Sequence, residues 1–212
     1  MIRVLIVDDH SLIREGVKLV LARCPEITTV LEAENGRDAL RIIRGCELDL
    51  VLLDISMPGG MDGLDVLKQI KYEFPAIPVL MLTMYPEEQY AIRTLKAGAS
   101  GYLTKQSVPR ELINAVGRVL EGKKYISADL GDFLASNMDA DTVRPLHATL
   151  SDREFQVMTM IVSGKKNREI ADEMQLSPKT VSTYLSRIMD KLRVKSVVEL
   201  TRYAFDYSLV IK

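Results

Sequence analysis

The chain has 212 residues, of which 47% are hydrophobic and 27% are charged, and its formal net charge at pH 7 is −1. This length allows one large or two modest domains, and this composition is typical of a globular protein rather than of a disordered one. No apolar run approaches the roughly 20 residues that cross a bilayer, and the sequence shows no signal-peptide pattern. Two cysteines are too few for a disulfide framework. We therefore expect a cytoplasmic protein with no membrane partner.

Residues 1–121 alternate between short β-like runs and amphipathic stretches. The runs predict strands at 2–7, 28–33, 48–53, 79–83 and 101–103. The stretches between them predict helices at about 12–22, 36–44, 62–73, 87–97 and 109–120, with Ser11 and Asp62 as N-caps and Pro109 in a first turn. This alternation favours an α/β fold, a doubly wound five-stranded parallel sheet covered by helices on both faces.

Polar side chains follow four of the predicted strands, at the point where each strand ends. Asp8 and Asp9 follow the first strand, Asp54 the third, Thr83 ends the fourth, and Lys105 lies just beyond the fifth. The carboxyl ends of parallel strands meet at one edge of a sheet, where ligands bind. We therefore expect these residues to meet in one cleft, although they lie nearly a hundred positions apart.

This group of residues has the chemistry of a phosphoryl-transfer site. Three neighbouring carboxylates repel one another unless a cation joins them, and Mg²⁺ prefers such hard oxygen ligands. Asp54 would then be the nucleophile, forming an acyl phosphate. Lys105 would supply positive charge and Thr83 a hydroxyl donor to the phosphoryl oxygens. Each residue taken alone has an ordinary structural explanation, as a turn residue, a cap or a surface charge.

Residues 1–121 resemble the receiver domain of bacterial two-component response regulators, a flavodoxin-like fold. The resemblance rests on the paired acids, on Asp54 followed by Met57, Pro58 and Gly59, and on the threonine and lysine of the later strands. It implies that a sensor histidine kinase phosphorylates Asp54 in the presence of Mg²⁺. The metal ligands that it implies are Asp9, Asp54, Asp8 through water, and the backbone carbonyl of Ser56. It also implies that Thr83 and Tyr102 are a switch pair whose side chains turn inward on phosphorylation.

The sequence departs from the common receiver pattern at two places. The loop at 57–63 is one glycine longer than usual, and Gln106 stands where many receivers carry proline. An alternative function is a Mg²⁺-dependent phosphohydrolase of the haloacid dehalogenase type. That class needs a second aspartate two residues after the nucleophile, where this chain has Ser56, and a substrate-binding cap that is missing here. We therefore expect a signalling protein that supports only its own phosphorylation and dephosphorylation.

Residues 122–149 are predicted to be an interdomain linker, with a possible short helix at 127–137 and a flexible stretch at 139–145. Residues 150–212 carry a net charge of +3, against −3 for residues 1–121, which suggests different partners for the two parts. They show no strand signal and predict an all-α domain with four helices near 152–163, 167–174, 178–192 and 196–206. Ser177 and Pro178 mark the start of the third of these helices.

The helix predicted at 178–192 has an apolar stripe and a polar, partly basic opposite face. The stripe consists of Val181, Leu185, Ile188, Met189 and Leu192. A short helix, a tight turn and this longer helix are typical of a helix-turn-helix, whose second helix enters the major groove of DNA. Periodicity alone supports equally well a small helical bundle with a solvated face.

The sequence motifs favour the helix-turn-helix. Leu150 to Glu154, Asn167 to Ala171 and Ser177 to Ser182 resemble the LuxR-type output domain, and a receiver joined to this domain is the architecture of the NarL/FixJ family. The resemblance implies that Ser182, Thr183 and Ser186 face the bases. It gives as phosphate-contact candidates Lys165, Lys166, Asn167, Lys179, Thr180 and Arg187. Small hydroxyls discriminate bases weakly, so we expect modest base readout and an affinity that depends on backbone contacts.

The last predicted helix carries a stripe that resembles the surface on which this family dimerises. The stripe consists of Val197, Leu200, Thr201 and Ala204. Packing in the domain core is an equally good explanation for Val197 and Leu200. We expect a phosphorylation-activated transcription regulator that binds double-stranded DNA and forms a homodimer when phosphorylated or DNA-bound. A third possibility keeps the receiver and makes the tail a protein-interaction module.

Overall fold

The computed structural model describes residues 1–57, 61–84, 87–128, 130–132, 145–207 and 209, with no side-chain description at 87–89. The chain divides into two compact units, Met1–Phe133 and Leu134–Lys212, which we call the N-terminal and C-terminal units. Among the described residues, no helix combines the length and the hydropathy needed to cross a bilayer. The glycine-lengthened loop at 57–63 falls partly outside the described residues, as do most of the predicted helix at 127–137 and of the stretch at 139–145.

The N-terminal unit is built on a five-stranded parallel sheet with the order β2-β1-β3-β4-β5. The strands are β1 (Ile2–Val7), β2 (Ile27–Ala33), β3 (Leu50–Asp54), β4 (Val79–Thr83) and β5 (Gly101–Thr104). Every residue of β3 and β4 is buried, as a sheet covered on both faces requires. The strand order reverses between β1 and β3, and the crevice at such a reversal is where ligands bind in open α/β sheets. The predicted doubly wound fold is confirmed.

Five helices cover this sheet: α1 (Ser11–Leu21), α2 (Gly36–Gly45), α3 (Gly63–Glu73), α4 (Glu87–Lys96) and α5 (Val108–Leu120). Asp62 caps α3 as predicted, since its carboxylate accepts a 2.8 Å hydrogen bond from the Asp65 amide. Pro109 lies in the first turn of α5. The N-cap predicted at Ser11 is wrong because α1 begins at Ser11 itself, and His10 occupies the N-cap position.

The N-terminal unit extends beyond the boundary predicted at residue 121. Tyr125 forms a parallel bridge with Gly101 of β5, and its hydroxyl donates a 2.7 Å hydrogen bond to Glu111 of α5. A Cβ at Gly101 would lie 2.8 Å from the Tyr125 carbonyl oxygen, so glycine permits this close approach. The first part of the predicted linker is therefore packed onto the five-stranded sheet.

The described residues of the C-terminal unit form a 3₁₀ turn and four helices, and none of them forms a strand. The helices are α6 (Asp152–Val162), α7 (Asn167–Glu173), α8 (Pro178–Leu192) and α9 (Val197–Asp206). The 3₁₀ turn at Leu146–Thr149 lies in the predicted linker but belongs to this unit, because the His147 amide donates to the Tyr203 hydroxyl at 3.2 Å.

The predicted apolar stripe of α8 faces the core of the C-terminal unit. Val181, Ile188 and Leu192 are buried, and Leu185 and Met189 are half-buried. Ser177 caps the helix by accepting a 3.0 Å hydrogen bond from the Thr180 amide, and Pro178 follows at the first helical position. These features orient the remaining face of α8 toward solvent.

Candidate functional site

Three aspartates meet at the carboxyl ends of β1 and β3, as the sequence predicted. One ligand atom from each of Asp8, Asp9 and Asp54 lies within 4.8 Å of the others, together with a nitrogen of His10. Asp8 and Asp54 are each 2% exposed, whereas Asp9 is 25% exposed and opens the group to solvent. The adjacent pairing of β1 with β3 causes this convergence, since Val7 and Leu53 stand side by side just before the acids.

Lys105 neutralises part of this acidic group. Its ammonium nitrogen lies 2.7 Å from Asp54 Oδ2 and 2.7 Å from Asp8 Oδ2, and its side chain is only 4% exposed. Burial by itself would lower the pKa of Lys105, but the charges of Asp54 and Asp8, together with the hydrogen bond to Asp54, raise it. Lys105 therefore remains charged and forms an ion pair with both carboxylates.

The carboxyl group of Asp54 has an unusual pKa. Burial raises this pKa to about 6, the Lys105 charge opposes the rise, and the Asp8 charge adds to it. The Ser56 amide donates a weak 3.3 Å hydrogen bond to Asp54 Oδ1, which also favours the charged form. Asp54 is therefore mostly ionised at neutral pH, although its burial disfavours the charged form of the carboxyl group.

The acidic group has the donor set that a hard divalent cation requires. Two of its buried oxygens, Asp8 Oδ2 and Asp9 Oδ1, accept no hydrogen bond from the described residues. Each lies beside a nitrogen, of Lys105 and His10 respectively, in a contact that lacks hydrogen-bond geometry. Carboxylate oxygens left without donors are ligands that Mg²⁺ prefers. The residues present thus fit a divalent cation.

Two residues beside the acids were not predicted from the sequence. His10 Nδ1 lies 2.8 Å from Asp9 Oδ1 and 3.3 Å from Asp8 Oδ1, so an imidazole joins the acidic group. Arg14 is buried in α1 and donates a 2.8 Å hydrogen bond to the Asp8 carbonyl oxygen, while its other nitrogens pair with Glu32 and Glu34 of the β2 segment. In the sequence, Arg14 is a charged residue on the otherwise apolar face of α1, and this pattern indicates a buried, paired arginine.

The remaining predicted receiver residues surround the same edge of the sheet. Thr83 ends β4 and is fully buried, and its carbonyl oxygen accepts a 2.7 Å hydrogen bond from the Lys105 amide. Tyr102, in β5, is also fully buried. Gly63 begins α3, and a Cβ at this position would lie 1.8 Å from the Asp54 carbonyl oxygen, so only glycine allows the helix to start this close to Asp54.

Most of the residues predicted to contact DNA are exposed in the C-terminal unit. Asn167 and Thr180 are half-buried, and the other seven are exposed: Lys165, Lys166, Lys179, Ser182, Thr183, Ser186 and Arg187. The Asn167 amide nitrogen lies 3.2 Å from Ser182 Oγ and so joins the start of α7 to the exposed face of α8. Lys165 forms a salt bridge with Glu173, whose negative charge partly offsets that of the lysine.

The predicted dimerisation stripe on α9 needs correction. Leu200 and Ala204 are fully buried, so for these two residues packing in the core is the right explanation. Val197 is 42% exposed and Thr201 is half-buried. Val198, which lies outside the predicted stripe, is 80% exposed, and Phe205 is 39% exposed. The apolar outer face of α9 is therefore rotated from the predicted stripe, and Val197 and Thr201 stay candidates at its edge.

Two protein families match the two units of the chain. Residues 4–117 match the response regulator receiver domain, and residues 148–204 match the luxR family of bacterial regulatory proteins. The second match begins inside the 3₁₀ turn, in agreement with its assignment to the C-terminal unit.

Relatives align with the chain over nearly its full length. The response regulator UvrY from Escherichia coli is 39% identical over 210 residues, which cover 99% of this chain and 96% of UvrY. The response regulator GacA from Pseudomonas aeruginosa is 37% identical over 211 residues, with coverage of 99% and 98%. RcsB from Salmonella enterica serovar Typhimurium has been solved bound to promoter rprA in the presence of phosphomimetic BeF3−. That structure matches this chain with a TM-score of 0.69 at 26% identity, and the match covers 99% of this chain and 100% of the RcsB chain.

Proposed function

The chain belongs to the NarL/FixJ family of two-component response regulators, in which a receiver domain precedes a LuxR-type DNA-binding domain, and from this premise we propose that phosphorylation of Asp54 controls how it binds DNA. The observation that carries the proposal is the buried group of Asp8, Asp54 and Lys105 at the carboxyl ends of β1, β3 and β5. Family membership favours a transcription regulator over both a phosphohydrolase and a protein-interaction output.

Mg²⁺ is the cation that we propose for the acidic group. Asp9 and Asp54 would bind it directly, with Asp8 acting through water and the Ser56 carbonyl as a further ligand. Asp9 suits this role because it is the most exposed of the three acids and so gives the ion a path from solvent. When bound, Mg²⁺ supplies positive charge to the carboxylates and to incoming phosphoryl oxygens.

The protein's own side chains then have distinct tasks in phosphoryl transfer. An Asp54 carboxylate oxygen forms the new bond to phosphorus as the bond from phosphorus to the donor, a phosphohistidine of a sensor kinase, breaks. Because the Asp54 pKa of about 6 lies below neutral pH, the nucleophile is already charged. Lys105 neutralises phosphoryl oxygens, and the Thr83 hydroxyl donates a hydrogen bond to one of them.

The switch is proposed to act through Thr83 and Tyr102. Both side chains are fully buried, which is the inward placement expected of the phosphorylated state, so the phosphoryl group would stabilise an arrangement that the fold already accommodates. The surface formed by α4, β5 and α5 would carry the change to receiver dimerisation, to release of inhibition, or to both. The regulator would meet its double-stranded DNA in the cytoplasm, as a homodimer.

The C-terminal unit would bind the major groove with the N-terminal half of α8. Ser182, Thr183 and Ser186 would face bases, and the surrounding cationic and polar residues would contact phosphates. RcsB, a relative of similar fold, has been solved bound to promoter DNA, which supports DNA binding by this chain. Val197 and Thr201 would lie at the edge of a dimer contact on α9.

The test is phosphorylation and DNA binding of the full chain with acetyl phosphate and Mg²⁺. We expect wild type to gain one phosphoryl group and to bind randomised duplex DNA more tightly, and Asp54→Ala to do neither. Asp38→Ala removes a partly exposed carboxylate at the start of α2 and is the matched control, expected to behave as wild type. Phosphate incorporation by the Asp54 variant would overturn the assignment, and donor-independent DNA binding would overturn the switch.

A further inference from the structure

The hydroxyl groups of Ser182 and Thr183 are already engaged before any DNA is bound. Ser182 Oγ lies 3.0 Å from the Pro178 carbonyl oxygen, and Thr183 Oγ1 lies 3.0 Å from the Lys179 carbonyl oxygen, each one turn earlier in α8. A carbonyl oxygen can only accept a hydrogen bond, and each hydroxyl has one hydrogen. Both hydroxyls must therefore donate that hydrogen to the helix backbone, and only oxygen lone pairs remain for a ligand.

Asn167 fixes the arrangement at Ser182. Its amide nitrogen lies 3.2 Å from Ser182 Oγ. Because the Ser182 hydrogen is directed at Pro178, the Asn167 group that faces Ser182 must itself be the donor, which determines the orientation of the amide. One Ser182 lone pair is thus occupied and the other stays available, so this hydroxyl is held in place as an acceptor by two separate helices.

We propose that Ser182 and Thr183 make the exposed start of α8 an acceptor surface, which selects bases that present an amino group in the major groove. This inference rests on the proposed DNA binding. Adenine offers the N6 amino group and cytosine the N4 amino group at that edge, whereas guanine offers O6 and N7 and thymine O4, all acceptors. The contacted strand should therefore prefer adenine or cytosine over guanine or thymine at two positions of each half-site.

The preference has a definite physical origin and size. A hydroxyl could donate to guanine O6 or thymine O4 only by giving up its hydrogen bond to the helix carbonyl. A hydrogen bond of this kind corresponds to about a fivefold change in affinity. Exchanging adenine for cytosine should therefore change affinity little, whereas inverting the base pair, which puts a keto base on the contacted strand, should weaken binding about fivefold at each position.

The experiment is selection from a randomised double-stranded DNA library with the full chain, phosphorylated by acetyl phosphate and Mg²⁺. We then measure the affinity of every single-base variant of the selected duplex. Ser182→Ala and Thr183→Val remove one acceptor each, and alanine favours the helix at position 182. Ser163→Ala is the matched control, because Ser163 is exposed and its hydroxyl donates in the same way to the Thr159 carbonyl at 2.8 Å, but at the C-terminal end of α6.

The outcomes separate this inference from the proposed function. Support requires an amino-base preference at two positions, one lost in Ser182→Ala and the other in Thr183→Val, with both kept in Ser163→Ala. Selected sites that prefer guanine or thymine there, or preferences that survive both substitutions, would overturn the acceptor surface and leave DNA binding intact. If no duplex is enriched by folded protein, the proposed DNA binding fails, and the inference fails with it.

Discussion

Neutralising Asp54 should stabilise the metal-free receiver unit. Burial holds the Asp54 carboxyl pKa at about 6, well above its ordinary value of 3.8, so the charged form destabilises the native protein at neutral pH. Asp54→Asn keeps the shape of the side chain and removes the charge. Lys105 retains Asp8 as an ion-pair partner 2.7 Å away, so the substitution leaves its ammonium paired.

The expected magnitude follows from this pKa. One pKa unit is equivalent to about 1.4 kcal/mol, so the difference between 3.8 and about 6 corresponds to roughly 3 kcal/mol above pH 6. The pKa of Asp54 is higher in the folded state than in the unfolded state. The free energy of unfolding of the wild type therefore falls by this amount as the pH rises from 4 to 6. Below pH 4 both states are protonated, and the two proteins should be equally stable.

The assay is urea unfolding of the full chain in EDTA, followed by circular dichroism from pH 4 to pH 8, with the receiver transition identified by its response to Mg²⁺. Saturating Mg²⁺ should stabilise wild type more than Asp54→Asn and so close the gap. Asp38→Asn, whose carboxylate has a lowered pKa because of its hydrogen bonds to Asn35 and Arg41, should show no stabilisation. A less stable Asp54 variant at pH 7.5 in EDTA would refute the electrostatic reasoning.

Four further substitutions test other parts of the structure. Gly63→Ala places a methyl group against the strand backbone that carries the phosphoacceptor, and should slow phosphorylation by acetyl phosphate about a hundredfold while the chain stays folded by circular dichroism. Gln175→Gly relieves a positive φ of 52° and should stabilise the C-terminal unit by about 1 kcal/mol in urea unfolding, whereas Gly164→Ala, at φ +89°, should destabilise it by a similar amount. Burial raises the pKa of Glu154, but hydrogen bonds from Lys191 and Ser151 lower it by more, so this pKa lies below its usual value. Glu154→Gln should therefore cost about 1 kcal/mol at pH 7, and this cost should shrink as the pH falls below 4.5 and the native carboxylate is protonated.

The sequence was sufficient to predict the sheet and the meeting of its polar strand ends. Both follow from local rules: alternating strands and helices dictate a parallel sheet, and a parallel sheet brings Asp8, Asp54 and Lys105 to one edge. The end of the N-terminal unit was missed because Tyr125 joins the sheet through a single bridge, which leaves no periodic pattern in the sequence.

The errors on α9 and around Arg14 have a different cause. A stripe of apolar residues on a helix shows that one face is covered, but it does not show whether the cover is the protein's own core or a second subunit. Leu200 and Ala204 belong to the core, and the exposed Val198 was overlooked because it lies outside that stripe. The pairing of Arg14 with β2 depends on the packing of α1 against the sheet, which periodicity does not specify.

The acceptor surface on α8 links the weak base readout to the need for dimerisation. Two hydroxyl acceptors, each with about a fivefold preference, give one C-terminal unit a discrimination of about 25-fold. Specific regulators commonly exceed nonspecific binding by about a thousandfold or more. Two units on two half-sites square the factor to about 600-fold and double the phosphate contacts of a segment whose net charge is +3. For this chain, phosphorylation that promotes dimerisation would therefore raise specificity together with affinity, whereas release of an inhibited monomer would raise affinity alone.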